Sequence, residues 1–176
     1  MHYAQMRSMD ISNGEGIGVS LFVQGCRFHC FNCFNTEAWD FNKGNVWTDE
    51  TEAHFLELAN RPFISRISIL GGEPLAPENE QDVLKLLQEI KVNLPQKKIW
   101  LYTGYTWEEI FSCSADNTVK QEIIQLCDIV VDGRYMNDLR DMKLKWKGSS
   151  NQKVIDVQRT LCSESIILKE NENGNT

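Results

Sequence analysis

The chain has 176 residues, 41% of them hydrophobic and 24% charged, with a formal net charge of -7, which fits one globular domain able to bury its own core and requires no second. The acidic balance weighs against binding a nucleic-acid backbone, residues 1–10 hold no apolar core of the signal-peptide kind, and no apolar run is long enough to cross a bilayer. The expectation is a cytoplasmic protein with no nucleic-acid and no membrane partner, in whose reducing surroundings clustered cysteines are metal ligands or redox groups rather than disulfides.

The turn-rich Asn13-Gly14-Glu15-Gly16 leads into residues 17–23, a short apolar run that reads as a buried strand. Directly after it, beyond Gln24-Gly25, stand Cys26, Cys30 and Cys33. Residues 48–60 read as a helix with polar and acidic residues at its start and Ala53, Leu56 and Ala59 on one face, closed by Arg61-Pro62. Residues 67–70 form a second short strand running into Gly71-Gly72-Glu73-Pro74. Two successive glycines admit backbone close to a ligand that any Cβ would obstruct; the plainer alternatives are a tight turn, and a solvated acid for Glu73. Residues 79–94 carry Val83, Leu84, Leu86, Leu87 and Ile90 at helical spacing and stop at Pro95. Residues 98–102 make a third strand, Thr106 caps a short helix through Trp107 and Ile110, residues 119–126 a further helix, and residues 127–131 a fourth strand ending at Asp132-Gly133.

Strands alternating with helices imply βαβ units and a mainly parallel sheet, with the cysteines beyond a strand's C-terminal end, where such sheets place their sites. A complete eight-unit barrel takes about 250 residues, so the α/β fold expected here is a partial, laterally open barrel. Residues 1–160 form its single domain and 161–176 a polar, flexible tail. Cys113, Cys127 and Cys162 are dispersed and read as structural.

Thiolates select zinc, copper(I) or iron-sulfur clusters. With His29 as a fourth ligand the triad suits a structural zinc; as three ligands of a four-iron cluster it leaves one iron open. The spacing of Cys26, Cys30 and Cys33 resembles that of radical S-adenosylmethionine enzymes. Leu21-Phe22-Val23-Gln24-Gly25-Cys26, Cys33-Phe34-Asn35, Gly71-Gly72-Glu73-Pro74-Leu75, Trp100-Leu101-Tyr102-Thr103-Gly104-Tyr105, Val131-Asp132-Gly133 and Gly148-Ser149-Ser150-Asn151-Gln152 narrow the resemblance to the activating proteins of anaerobic ribonucleoside-triphosphate reductase. That family is one of the radical S-adenosylmethionine activases of glycyl-radical enzymes.

The resemblance implies a partial radical S-adenosylmethionine barrel in which Cys26, Cys30 and Cys33 hold one 4Fe-4S cluster. It implies that Asn32, Cys33 and Phe34 line the S-adenosylmethionine site and that Gly71, Gly72 and Glu73 meet the methionine amino group. Reductive cleavage, with the electron from reduced flavodoxin or ferredoxin, would give methionine and a 5′-deoxyadenosyl radical that takes hydrogen from a glycine of the reductase. The chain departs from the family where Gly-Pro-Gly and a nearby Arg are replaced by Gly14-Glu15-Gly16-Ile17-Gly18, and where Lys147 replaces an Arg. Trp100, Tyr102, Tyr105 and Trp107 read as core rather than as a recognition surface. Alternatives are activation of another glycyl-radical enzyme, a small-molecule radical reaction, or a non-enzymatic metal-binding or electron-carrier module.

Overall fold

A computed structural model describes residues 1–112 and 117–169. In chain order the elements are β1 (His2–Asp10), β2 (Gly18–Val23), β3 (Asn45–Val46), α1 (Asp49–Asn60), β4 (Arg66–Gly71), α2 (Glu80–Asn93), β5 (Lys98–Tyr102), α3 (Trp107–Ile110), α4 (Thr118–Leu126), β6 (Ile129–Asp132), β7 (Lys153–Asp156) and α5 (Val157–Leu161). The strands form one open sheet in the order β3-β1-β2-β4-β5-β6-β7. Its centre is parallel, β2 to β4 to β5 to β6, and both flanks are antiparallel. The predicted strands are the parallel centre, whose apolar runs are buried on both faces; the added edges are β1, β3 and β7. No described helix is long and apolar enough to cross a membrane.

The helices form where their caps and apolar spacing direct. The Thr48 side chain accepts from the Thr51 amide at 3.3 Å, and Asp49, Glu50 and Glu52 occupy the first turn of α1, against the positive end of its dipole. The buried residues of α1 are Glu52, Phe55 and Ala59. Ala53 is exposed, so the expected face is turned: Phe55 is the bulkiest apolar side chain, and its burial fixes the rotation. Helix α2 buries Val83, Leu86, Leu87 and Ile90. Thr106 and Glu109 close a reciprocal capping box on α3, with bonds of 3.2 and 2.8 Å.

Alternation along the strands separates two faces. Val19, Leu21, Val23, Ile67, Ile69, Ile99, Leu101 and Val130 join the main core with the helices. The second face carries Ser20, Arg66, Ser68 and Trp100, all buried. Trp100 packs edge-on against Trp146, ring centroids 5.0 Å apart, while Tyr105 and Trp107 pack on the main core. These aromatic residues are therefore packing elements.

On the second face the Arg66 guanidinium, side chain 1% exposed, lies 3.5 Å from an Asp10 carboxylate oxygen. It donates to the Asp10, Asn13 and Glu15 carbonyls at 2.7, 2.6 and 3.1 Å. Burial alone would raise the Asp10 pKa, but the Asn13 amides and the Ser12 N–H bring it down to about 2. Arg66 accounts for the Gly14-Glu15-Gly16-Ile17-Gly18 turn: a Cβ at Gly14 would lie 2.6 Å from its Cδ, and one at Gly18 2.7 Å from its Cζ. The Glu15 carboxylate points elsewhere, to Lys169 at 2.8 Å.

After α5 the chain returns to the sheet edge, where Leu168 bridges Ile155 and the Lys169 amide donates to the Val154 carbonyl at 2.8 Å. Residues 170–176, the remainder of the predicted tail, and Cys113 lie outside the described residues. Cys127 is buried, with its thiol 3.2 Å from the Ile123 carbonyl, and Cys162 is exposed.

Candidate active site

A cavity of about 500 Å³ opens at the C-terminal ends of the parallel strands, within the size range of small-ligand sites. Cys26, Cys30, Cys33, Asn32, Phe34, Gly71, Gly72 and Glu73 all line it. Residues called from two separate stretches of sequence thus share one wall, because β2 and β4 are adjacent and parallel and both loops leave them at the same end.

Backbone bonds hold the base of the cysteine loop. Gly25 N–H donates to Ala38 O at 2.8 Å and Cys26 N–H to Trp39 O at 3.0 Å, while Gly72 N–H and Glu73 N–H reach Val23 O and Gly25 O at 2.8 and 2.7 Å. This crowding explains the glycines. Gly71 has φ +107, and a Cβ there would lie 2.8 Å from Val23 O; a Cβ on Gly72 would lie 2.4 Å from Gly25 O. The close approach is to the protein's own backbone, and the same turn lines the cavity.

Further out the loop is held by side chains. His29 and Asn32 adopt left-handed φ values of 44° and 55°. The His29 ring stacks on Trp39 with centroids 4.4 Å apart, and Asn32 Nδ2 donates to Asn137 Oδ1 at 3.3 Å. Phe28 packs on Tyr105 and under the Arg134 guanidinium. The Phe34 ring is 97% exposed at the mouth. Asn35, outside the predicted set, donates its amide N–H to Cys33 Sγ at 3.4 Å and its side chain to Gly71 O at 3.5 Å.

Burial pushes the Cys26 thiol up to about 11, with Glu73 adding to the rise against backbone N–H groups near Phe28 and His29. Burial and then Cys33 raise Cys30, partly offset by the Tyr135 backbone. Thiols so placed need a bound metal to become thiolates. Among the described residues no three His, Cys, Asp or Glu side chains gather round a single metal ion's position. A cluster meets each thiolate at a different iron, and three soft donors on one wall, with an N–H directed at Cys33 sulfur, fit such a group.

Glu73 is not the solvated acid of the plainer expectation: it is 2% exposed. Its carboxylate accepts from Leu75 N–H at 2.9 Å, Thr103 Oγ1–H at 2.8 Å and Gly104 N–H at 2.8 Å. Burial nevertheless raises its pKa to about 7, because those three donors and more distant Lys120 only partly offset the desolvation. Asn79, 1% exposed at the start of α2, ties the turn to the cysteine loop by donating to Glu73 O and Gln24 O, both at 2.9 Å.

The cavity's far wall is an arm, residues 133–148, which supplies Arg134, Tyr135, Arg140, Met142 and Lys147. The Gly148-Ser149-Ser150-Asn151-Gln152 motif clamps its base. Gln152 Oε1 accepts from Gly148 and Ser149 N–H at 2.8 and 3.1 Å, Gln152 Nε2 donates to Gly133 O at 2.9 Å, and Asn151 donates to Arg134 O at 2.9 Å. Lys147 Nζ donates to Gln152 O at 2.7 Å, so this Lys braces the arm. The buried Trp39 Nε1 and Tyr102 hydroxyl, on residues that line the cavity, have no hydrogen-bond partner among the described residues.

A family model described as a 4Fe-4S single cluster domain matches residues 12–155. The chain is 40% identical over 156 residues to the anaerobic ribonucleoside-triphosphate reductase-activating protein of Escherichia coli (strain K12), covering 88% of this chain and 97% of that protein. The protein of the same description from Vibrio cholerae serotype O1 is 36% identical over 154 residues, 86% of this chain and 96% of its own length. That from Enterobacteria phage T4 is 34% identical over 155 residues, 88% and 93%.

Proposed function

The chain belongs to the family of anaerobic ribonucleoside-triphosphate reductase-activating proteins, and on that premise we propose that it activates such a reductase as a radical S-adenosylmethionine enzyme. The observation that carries this reading is the convergence of Cys26, Cys30, Cys33, Gly71, Gly72 and Glu73 on one cavity at the ends of parallel strands. The open sheet is then the partial barrel of that enzyme class, with residues 1–160 as its domain.

Cys26, Cys30 and Cys33 would hold the 4Fe-4S cluster, leaving one iron for S-adenosylmethionine. When bound, the reduced cluster and S-adenosylmethionine supply a 5′-deoxyadenosyl radical able to take hydrogen from a glycine of the reductase. The chain's own residues bind and orient. Asn32, Cys33 and Phe34 line one side of the S-adenosylmethionine site. Gly71, Gly72 and Glu73 line it beside them and would meet the methionine amino group, with the Glu73 carboxylate fixing the turn against Thr103 and Gly104 so that its backbone keeps one geometry. Reduced flavodoxin or ferredoxin would deliver the electron in the cytoplasm.

The test is 5′-deoxyadenosine formation by anaerobically reconstituted protein, with electron paramagnetic resonance of the reductase mixed with it. Formation together with a glycyl doublet, both lost in Cys30→Ala, is the expected outcome. Cleavage with no doublet would remove the assigned partner, and no cleavage from fully loaded protein would remove the enzymatic reading.

A further inference from the structure

We propose that the mouth of the cavity, formed by Phe31 on the cysteine loop and Met136, Leu139 and Lys143 on the arm, is a docking face for an extended, acidic segment of the protein being activated. This inference rests on the proposed function and adds to it the surface and the chemistry of the segment.

The face is apolar where apolar surface has no internal use. Phe31 is 75% exposed, Met136 50% and Leu139 39%, and Met142 beside them is 82% exposed. None of the first three lines the cavity itself, but each adjoins in sequence a residue that does: Phe31 lies between Cys30 and Asn32, Met136 follows Tyr135, and Leu139 precedes Arg140. Large apolar side chains gathered at an opening mark a contact surface more often than scattered ones do. The rim is also organised. Asn32 on the loop meets Asn137 on the arm at 3.3 Å, and an antiparallel bridge between Arg140 and Ser149, with Ser150 N–H donating to Leu139 O at 2.8 Å, holds the arm's root. The side chains beyond that root are therefore presented by a fixed backbone.

Charge selects the occupant. The chain as a whole is acidic, yet the arm holds Arg134, Arg140, Lys143, Lys145 and Lys147 against Asp138 and Asp141. Arg134 is paired with Glu109, whereas among the described residues Arg140 and Lys143 have no acidic partner. An acidic approaching segment is repelled by much of the molecule and drawn to this arm. Entry between a loop and an arm that touch at Asn32 and Asn137 suits an extended chain, whose backbone can be carried to the cavity while flanking side chains rest on the rim.

The test measures affinity of cluster-loaded full-length protein for the organism's anaerobic reductase, without oxygen, at low and high salt. Lys143→Glu is expected to weaken binding about tenfold at low salt, with the difference shrinking at high salt. Met136→Ser with Leu139→Ser is expected to weaken it about tenfold at both. Lys143→Arg should bind like the parent. Val92→Ser, a more exposed apolar position on α2 (77%) away from the cavity, should change nothing. Affinities within about twofold of the parent for both rim variants, or an equal loss in Val92→Ser, would overturn the proposal. 5′-Deoxyadenosine formed without reductase reads the proposed reaction separately: the rim variants should retain it, and its absence in the parent would sink that reaction while the affinities still judged the docking face.

Discussion

The two faces of the sheet are made by the same strands and are both buried, yet they are built on opposite principles. In β4, Ile67 and Ile69 enter an apolar core under the helices, while Arg66 and Ser68 enter a hydrogen-bonded network on the other side. The first face gains by removing apolar surface from water, which tolerates modest changes of shape. The second depends on the buried Arg66 and Asp10 keeping their partners. The demanding network ties the turn before β2 to the start of β4, at the end of the parallel strands opposite the cavity, and leaves the helical face to bury most of the apolar surface.

The sharpest way to break this contrast is Arg66→Met. It keeps the volume and strands a buried Asp10, so a loss of about 3–5 kcal/mol is expected by urea titration. Adding Asp10→Asn should restore part of it, and a cost no larger than that of an exposed substitution would deny the network its role. Leu86→Ala on the helical side should cost about 2–5 kcal/mol through the cavity it leaves. Its 5′-deoxyadenosine formation, measured well below the melting temperature, should be unchanged.

Protons sharpen the contrast next. The Glu73 pKa is raised above its ordinary 4.5 to about 7, so the folded protein holds this proton more tightly than the unfolded chain does. The resulting stabilisation is complete below pH 4.5 and is lost as pH rises through 7, on the order of 3 kcal/mol in total. Comparing parent and Glu73→Gln by thermal unfolding between those pH values should show the decline only in the parent. Least of all, Tyr102→Phe removes a buried hydroxyl that has no partner among the described residues and should raise stability by about 1 kcal/mol; a loss of that size would show that the hydroxyl is bonded.

The parallel centre was legible because its strands are buried on both faces and read as uninterrupted apolar runs. β1 was not: among its residues only Asp10 is buried, and its place comes from pairing with β2 rather than from its own pattern. β7 is four residues long and gave no period to detect. In the site, the cysteine spacing and the double glycine were legible, since each is a local signal. The Gly148-Ser149-Ser150-Asn151-Gln152 stretch stood out by resemblance, but the arm's placement and the clamping role of Gln152 were not legible, because bonds from Gln152 to Gly133 and from Asn151 to Arg134 join residues with no repeating pattern between them. Glu73 was expected to face a ligand and does line the cavity, but its burial was not legible, because it depends on Thr103 and Gly104 arriving from another strand.

The cysteine loop is anchored at its base by main-chain bonds to residues 38 and 39 and to the Gly71-Gly72 turn, none of which passes through a sulfur atom. Small domains folded around a metal collapse when it is withdrawn. Here the mould is separate from what is cast in it. Bleaching by oxygen and unfolding therefore become independent events: a sample that has lost its colour should keep its circular dichroism and recover on anaerobic treatment with iron and sulfide. Damage of that kind is an injury open to repair.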